Sequence, residues 1–113
     1  MQVVEGCILY ELEKVVHERA RTRPRGSYTV ELLEKGTEFI ARKVGEEAVE
    51  VIVAALSEAP ERLAEEVADL LYHLTVLLYA RGLNWGRVFQ VLEARRRGRR
   101  GGAGAEDARS GPG

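Results

Sequence analysis

Over residues 37–57, apolar side chains return at three- and four-residue intervals. Ile40, Val44, Ala48, Val51 and Ala55 fall on one side of a helix turning about 100° per residue. From Pro60 onward, Leu63, Val67, Leu70, Leu71, Leu74 and Leu78 draw a second stripe of the same period. The spacing predicts two long helices, over 37–57 and 60–81, with Gly45 the one weak point of the first. Glu58 and Ala59 make the turn, Pro60 suits a first helical position where its missing N–H is no loss, and Gly82 stops the second helix. Upstream, Ile8, Leu12, Val15 and Val16 predict a first helix over about 5–21, closed by Pro24 and Gly26. Ser27 and Thr29 offer hydroxyl caps to a short helix over 30–35 that Gly36 ends, and Thr37 is placed to cap the next. Asn84 caps a last short helix with Val88, Phe89, Val91 and Leu92. Nothing alternates in the manner of a strand, so the fold class is all-α, a compact helical bundle whose two long helices pair antiparallel.

The polar positions of that pair carry the candidate chemistry. Glu46, Glu47 and Glu50 share one helical face, and Glu66 and Asp69 share another, each three or four residues apart. Both acidic strips run beside the apolar stripes, so packing the stripes brings the carboxylates to a common side. Two like charges about 4 Å apart repel by about 4 kcal/mol at an effective dielectric of 20. A hard divalent cation removes that repulsion, and an oxygen-only donor set suits Mg²⁺ or Mn²⁺ better than zinc. The plain alternative is a solvated helix face laced with ion pairs. It fits poorly, since Lys43 is the only cation near the first strip and Arg62 the only one near the second.

Charge sharpens the division of the chain. The 113 residues carry a net charge of -1, yet residues 1–94 hold eleven basic and sixteen acidic groups, a net of -5, while residues 95–113 hold six arginines against Glu106 and Asp107. Residues 1–94 therefore read as one domain, and 95–113 as a basic, Gly-rich, disordered tail. Without interleaved aromatics the arginine run is a solubilising tail rather than a nucleic-acid site. Cys7 is the single cysteine, which rules out an intrachain disulfide and fits a reducing, cytoplasmic setting. No apolar run approaches membrane-spanning length.

The ordered motifs resemble a known family. Gly26-Ser27-Tyr28-Thr29 with Leu32-Leu33 and Gly36, then Lys43-Val44-Gly45-Glu46-Glu47-Ala48-x-Glu50, then Glu66-x-Ala68-Asp69-Leu70-Leu71-Tyr72-His73-Leu74 and Arg81-Gly82-Leu83 resemble the phosphoribosyl-ATP pyrophosphohydrolases of histidine biosynthesis, within the MazG-type all-α pyrophosphohydrolases. The resemblance implies Mg²⁺-dependent hydrolysis of phosphoribosyl-ATP to phosphoribosyl-AMP and pyrophosphate by a homodimer. It further implies that Glu47, Glu50, Glu66 and Asp69 are metal ligands, and that Glu46 either serves a second ion or, with Glu47, the catalytic handling of water. Lys43, His73, Ser27, Tyr28 and Thr29 become substrate-binding candidates. For His73 a packing or ligand-orienting role weighs equally, and Ser27 to Thr29 have turn formation and capping as their local alternative. Arg42 replaces a second lysine common before the motif and keeps its charge.

Three other readings compete. A MazG-type enzyme that clears unwanted nucleoside triphosphates shares the acidic motif. A helical dimerisation module explains the leucine faces but not the converging acids. A di-iron bundle wants Glu-x-x-His pairs, and neither His17 nor His73 has a glutamate three residues before it.

Overall fold

The structure, a computed structural model, describes residues 7–57 and 59–100, with side chains through residue 98. Five helices follow in order: α1 (Ile8–Thr22), α2 (Tyr28–Lys35), α3 (Thr37–Ser57), α4 (Pro60–Ala80) and α5 (Trp85–Arg100). No strand occurs among the described residues. The all-α reading holds, and the helix ends show which local signals decide.

Arg23 closes α1 in the left-handed region at φ 51°, donating its N–H to the Arg19 carbonyl at 2.8 Å. Pro24 prevents any continuation. Ser27 caps α2, its Oγ accepting from the Val30 N–H at 3.2 Å, so α2 starts at Tyr28, two residues ahead of the predicted start. Gly36 ends α2 at φ 97°, a backbone shape that other residues adopt only with strain. Its carbonyl then accepts from the Ile40 N–H at 3.1 Å. Thr37 is therefore the first residue of α3 rather than its cap. Pro60 stands at the start of α4 as expected.

The core takes one side chain from each of the first four helices: Val16, Leu32, Ile40 and Val76, all fully buried. Leu33, Phe39, Tyr72, Leu77, Tyr79 and Ala80 pack around them. Full burial of such side chains is worth about 1.5–3 kcal/mol each. Only two residues join α3 to α4, which leaves an antiparallel hairpin as the available pairing, and these two helices form the most extensive pairing in the fold. The α3 stripe is buried at Ile40 and half-covered at Val44, Ala48 and Val51. Val49, Ile52, Val53 and Leu56 of α3 and Val67 of α4 are exposed, Leu56 by 81%.

This unit closes at Leu83 and a second begins at Asn84. In the second, the Asn84 side-chain oxygen accepts from the Arg87 N–H at 2.9 Å, as its capping role predicts. Trp85 and Phe89 stack one turn apart at 6.0 Å. The helix runs to Arg100, six residues into the stretch assigned to the tail. Arginine is a good helix former, and Glu93 reaches both Arg96 at 2.7 Å and Arg97 at 3.6 Å, which supports that extra length. The expected disorder of 101–113 lies outside the described residues.

Candidate functional site

Because Glu47 sits on α3 and Glu66 and Asp69 sit three apart on α4, the hairpin brings all three to one place. One carboxylate oxygen from each lies within 4.8 Å of the others. Glu66 is 5% exposed, Glu47 half-buried and Asp69 open to solvent, so the cluster has a closed side and an open side. Glu50, one turn beyond Glu47, is exposed and stands outside the trio. Glu46 is exposed as well and pairs with Lys43 at 3.3 Å. Three of the four expected ligands thus converge, and the fourth flanks them on the same helix.

The cations nearby are few and specifically placed. Arg62 donates to Glu65 at 2.6 Å and also pairs with Glu66. Lys43 is held above the usual lysine range by its hydrogen bond to Glu46 first and then by the Tyr28 phenol, with Glu47 adding to the effect. It therefore keeps its positive charge at any working pH, beside the acids.

α2 meets α4 through an aromatic and hydroxyl network. The imidazole of His73, 5% exposed, lies 2.8 Å by Nδ1 from the Asp69 carbonyl oxygen. A carbonyl has only lone pairs to offer, so Nδ1 carries the proton and donates. In the neutral ring Nε2 is then an acceptor, and the Tyr28 hydroxyl donates to it at 3.1 Å. The Tyr28 ring stacks loosely with Tyr72 at 6.1 Å and meets His73 edge-on at 5.7 Å. Thr29, 2% exposed, shares a hydrogen bond of 2.5 Å with the Tyr72 hydroxyl. Burial pushes the Tyr72 phenol above its ordinary value while that bond pulls it back, so the hydroxyl remains protonated.

These contacts sort the substrate-binding candidates. Ser27 serves as a helix cap, and Thr29 is enclosed and paired with Tyr72. His73 hydrogen-bonds to the Asp69 backbone carbonyl and to Tyr28. Tyr28 is exposed, and Lys43, half-buried, pairs with Glu46. Tyr72 was absent from the sequence candidates: its partner Thr29 is 43 positions away, and helical periodicity carries no signal across that separation.

Comparison with known proteins identifies the family. A family model described as phosphoribosyl-ATP pyrophosphohydrolase matches residues 9–96. A phosphoribosyl-ATP pyrophosphatase of Saccharolobus islandicus (strain M.16.27) is 51% identical over 90 residues, covering 80% of this chain and 96% of its own length. A protein of the same name from Saccharolobus solfataricus is 50% identical over 90 residues, with the same coverage. One from Ignicoccus hospitalis is 48% identical over 96 residues, covering 85% of this chain and 94% of its own.

Proposed function

The chain belongs to the phosphoribosyl-ATP pyrophosphohydrolase family, and from that premise we propose that it hydrolyses phosphoribosyl-ATP to phosphoribosyl-AMP and pyrophosphate in histidine biosynthesis, using Mg²⁺ held between α3 and α4. The observation that carries the metal reading is the trio Glu47, Glu66 and Asp69, whose oxygens gather within 4.8 Å. Its donor set fits the ion: hard oxygen ligands, one wall closed by buried Glu66, and an open side where water and phosphate would complete the coordination. Glu50, one turn beyond Glu47 on the same helix, would supply a fourth carboxylate to the ion.

When bound, the ion would draw charge from phosphate oxygens and lower the pKa of a coordinated water. The protein's own groups do the rest. Water adds to the α-phosphorus, the bond between the α- and β-phosphates breaks, and pyrophosphate departs with the electron pair. Glu46, exposed and tethered by Lys43, accepts the water's proton. Lys43, kept charged by its neighbours, meets phosphate oxygens as a compact cation. Tyr28, pinned by His73, lines the side of the acids contributed by α2.

The test is pyrophosphate release from phosphoribosyl-ATP compared with a panel of free nucleoside triphosphates, with Mg²⁺ and with EDTA. Preference for phosphoribosyl-ATP by at least about a hundred-fold in kcat/KM, lost in EDTA, is the expected result. Equal turnover of the free triphosphates would shift the reading to a nucleotide-clearing enzyme, and full activity in EDTA would remove the metal.

The same reading includes a homodimer and a cytoplasmic setting. Val49, Ile52, Val53, Leu56 and Val67 leave an apolar surface on the hairpin of the kind that a second copy covers. Sedimentation of the full chain should give a dimer, and Ile52→Glu with Val53→Glu should give a monomer. No helix among the described residues is long and apolar enough to cross a membrane.

A further inference from the structure

Arg62 stands in a position that helix energetics do not favour. It is the third residue of α4, where the positive end of the helix dipole opposes a cation. Its order relative to Glu66, basic residue first, is also the weaker arrangement for a pair four apart. What it gains is contact with the most deeply buried carboxylate of the acidic trio: one arm of the guanidinium pairs with Glu66 and the other with Glu65 at 2.6 Å. The Arg62 side chain is 49% exposed and that of Glu65 is 64% exposed. Arg62 therefore grips Glu66 from the solvent side and has a second, outer partner on which it can remain.

We propose that Arg62 is a resident counter-ion for Glu66 that yields to the metal. As a divalent ion settles on the trio, the guanidinium leaves Glu66 and stays with Glu65. When the ion departs, Arg62 returns. This rests on the reading of Glu66 as a metal ligand. A buried carboxylate with no partner destabilises a fold strongly, and a guanidinium and a divalent cation on one carboxylate repel each other. Arg62 thus protects the ion-free protein and lowers the affinity for the ion. A guanidinium that merely oriented a ligand would have the opposite sign, strengthening binding as ligand-supporting hydrogen bonds do.

Calorimetric titration of Mn²⁺ and Mg²⁺ into the full chain and into Arg62→Gln separates the two, together with thermal unfolding in EDTA and at saturating ion. The expected result is ion binding about three- to ten-fold tighter in the variant, a lower melting temperature in EDTA, and a larger gain on adding the ion. Equal or weaker binding in the variant overturns the proposal. Should the variant fail to fold, the side-chain ¹⁵N resonances of Arg62 in the unaltered protein supply the answer. They should shift in step with Mg²⁺ occupancy, and resonances that stay in place through saturation overturn the proposal. Absence of ion binding to the unaltered protein overturns the metal reading as well, and so is distinguishable from failure of Arg62's role alone.

Discussion

Asp69→Asn is expected to lower kcat for phosphoribosyl-ATP hydrolysis by about a thousand-fold or more at saturating Mg²⁺, with the helical circular-dichroism signal unchanged. Asp69 is the clearest member of the trio to alter. It is open to solvent, so an amide of the same shape introduces no buried strain. Its backbone carbonyl, which His73 uses, is untouched by the change. What the substitution removes is one negative charge among three oxygens within 4.8 Å, and with it the pull on a divalent ion. Glu66→Gln would be harder to interpret, because it also strips Arg62 of a partner. Glu50→Gln should follow Asp69→Asn if that side chain turns inward to the ion. Near-normal turnover in both variants would refute the ligand assignment.

Leu32→Ala is expected to be the largest single loss of stability, about 3 kcal/mol, seen as a fall in melting temperature of roughly 10–20 °C for a domain of this size. Leu32 is fully buried and is one of only four side chains at the centre of the core, one from each of α1 to α4. The eight-residue helix α2 buries Thr29, Val30 and Leu32 and has too few turns to persist without tertiary packing. Loosening it should also release Tyr28 and Thr29 from α4, so kcat should fall along with stability. Unfolding must be followed at one protein concentration, since association of two copies would shift the midpoint. A drop of less than about 5 °C would mean that the core tolerates the cavity by collapsing around it.

The fold was largely legible because its signals are local. The periodic stripes placed α3 and α4 within a residue of where they lie, and Pro60, Gly36 and Asn84 marked boundaries that the backbone respects. Thr37 and the arginine run misled for physical reasons. A glycine carbonyl began α3 before the Thr37 side chain was needed, and arginines paired to Glu93 extended α5 through residues whose composition had suggested disorder. At the site, helical spacing was enough to bring Glu47, Glu66 and Asp69 together, since a short hairpin permits few registers. It could not foretell that Glu50 would stand outside the trio. Nor could it foretell that Tyr28 and Tyr72 would clasp His73 and Thr29, which depends on how α2 lies against α4. The exposed valines and isoleucine of α3 had the same period as the buried ones, so a pattern that identified a helix did not say which of its apolar residues a single chain covers.

The two hydrogen bonds of His73 bear on which groups can take a proton beside the acids. In the neutral ring one nitrogen donates to a main-chain oxygen and the other receives the Tyr28 hydroxyl, so both nitrogens are engaged within the protein. Under the proposed mechanism the water's proton therefore falls to a carboxylate, a weak base that would suffice once a bound cation had acidified the water.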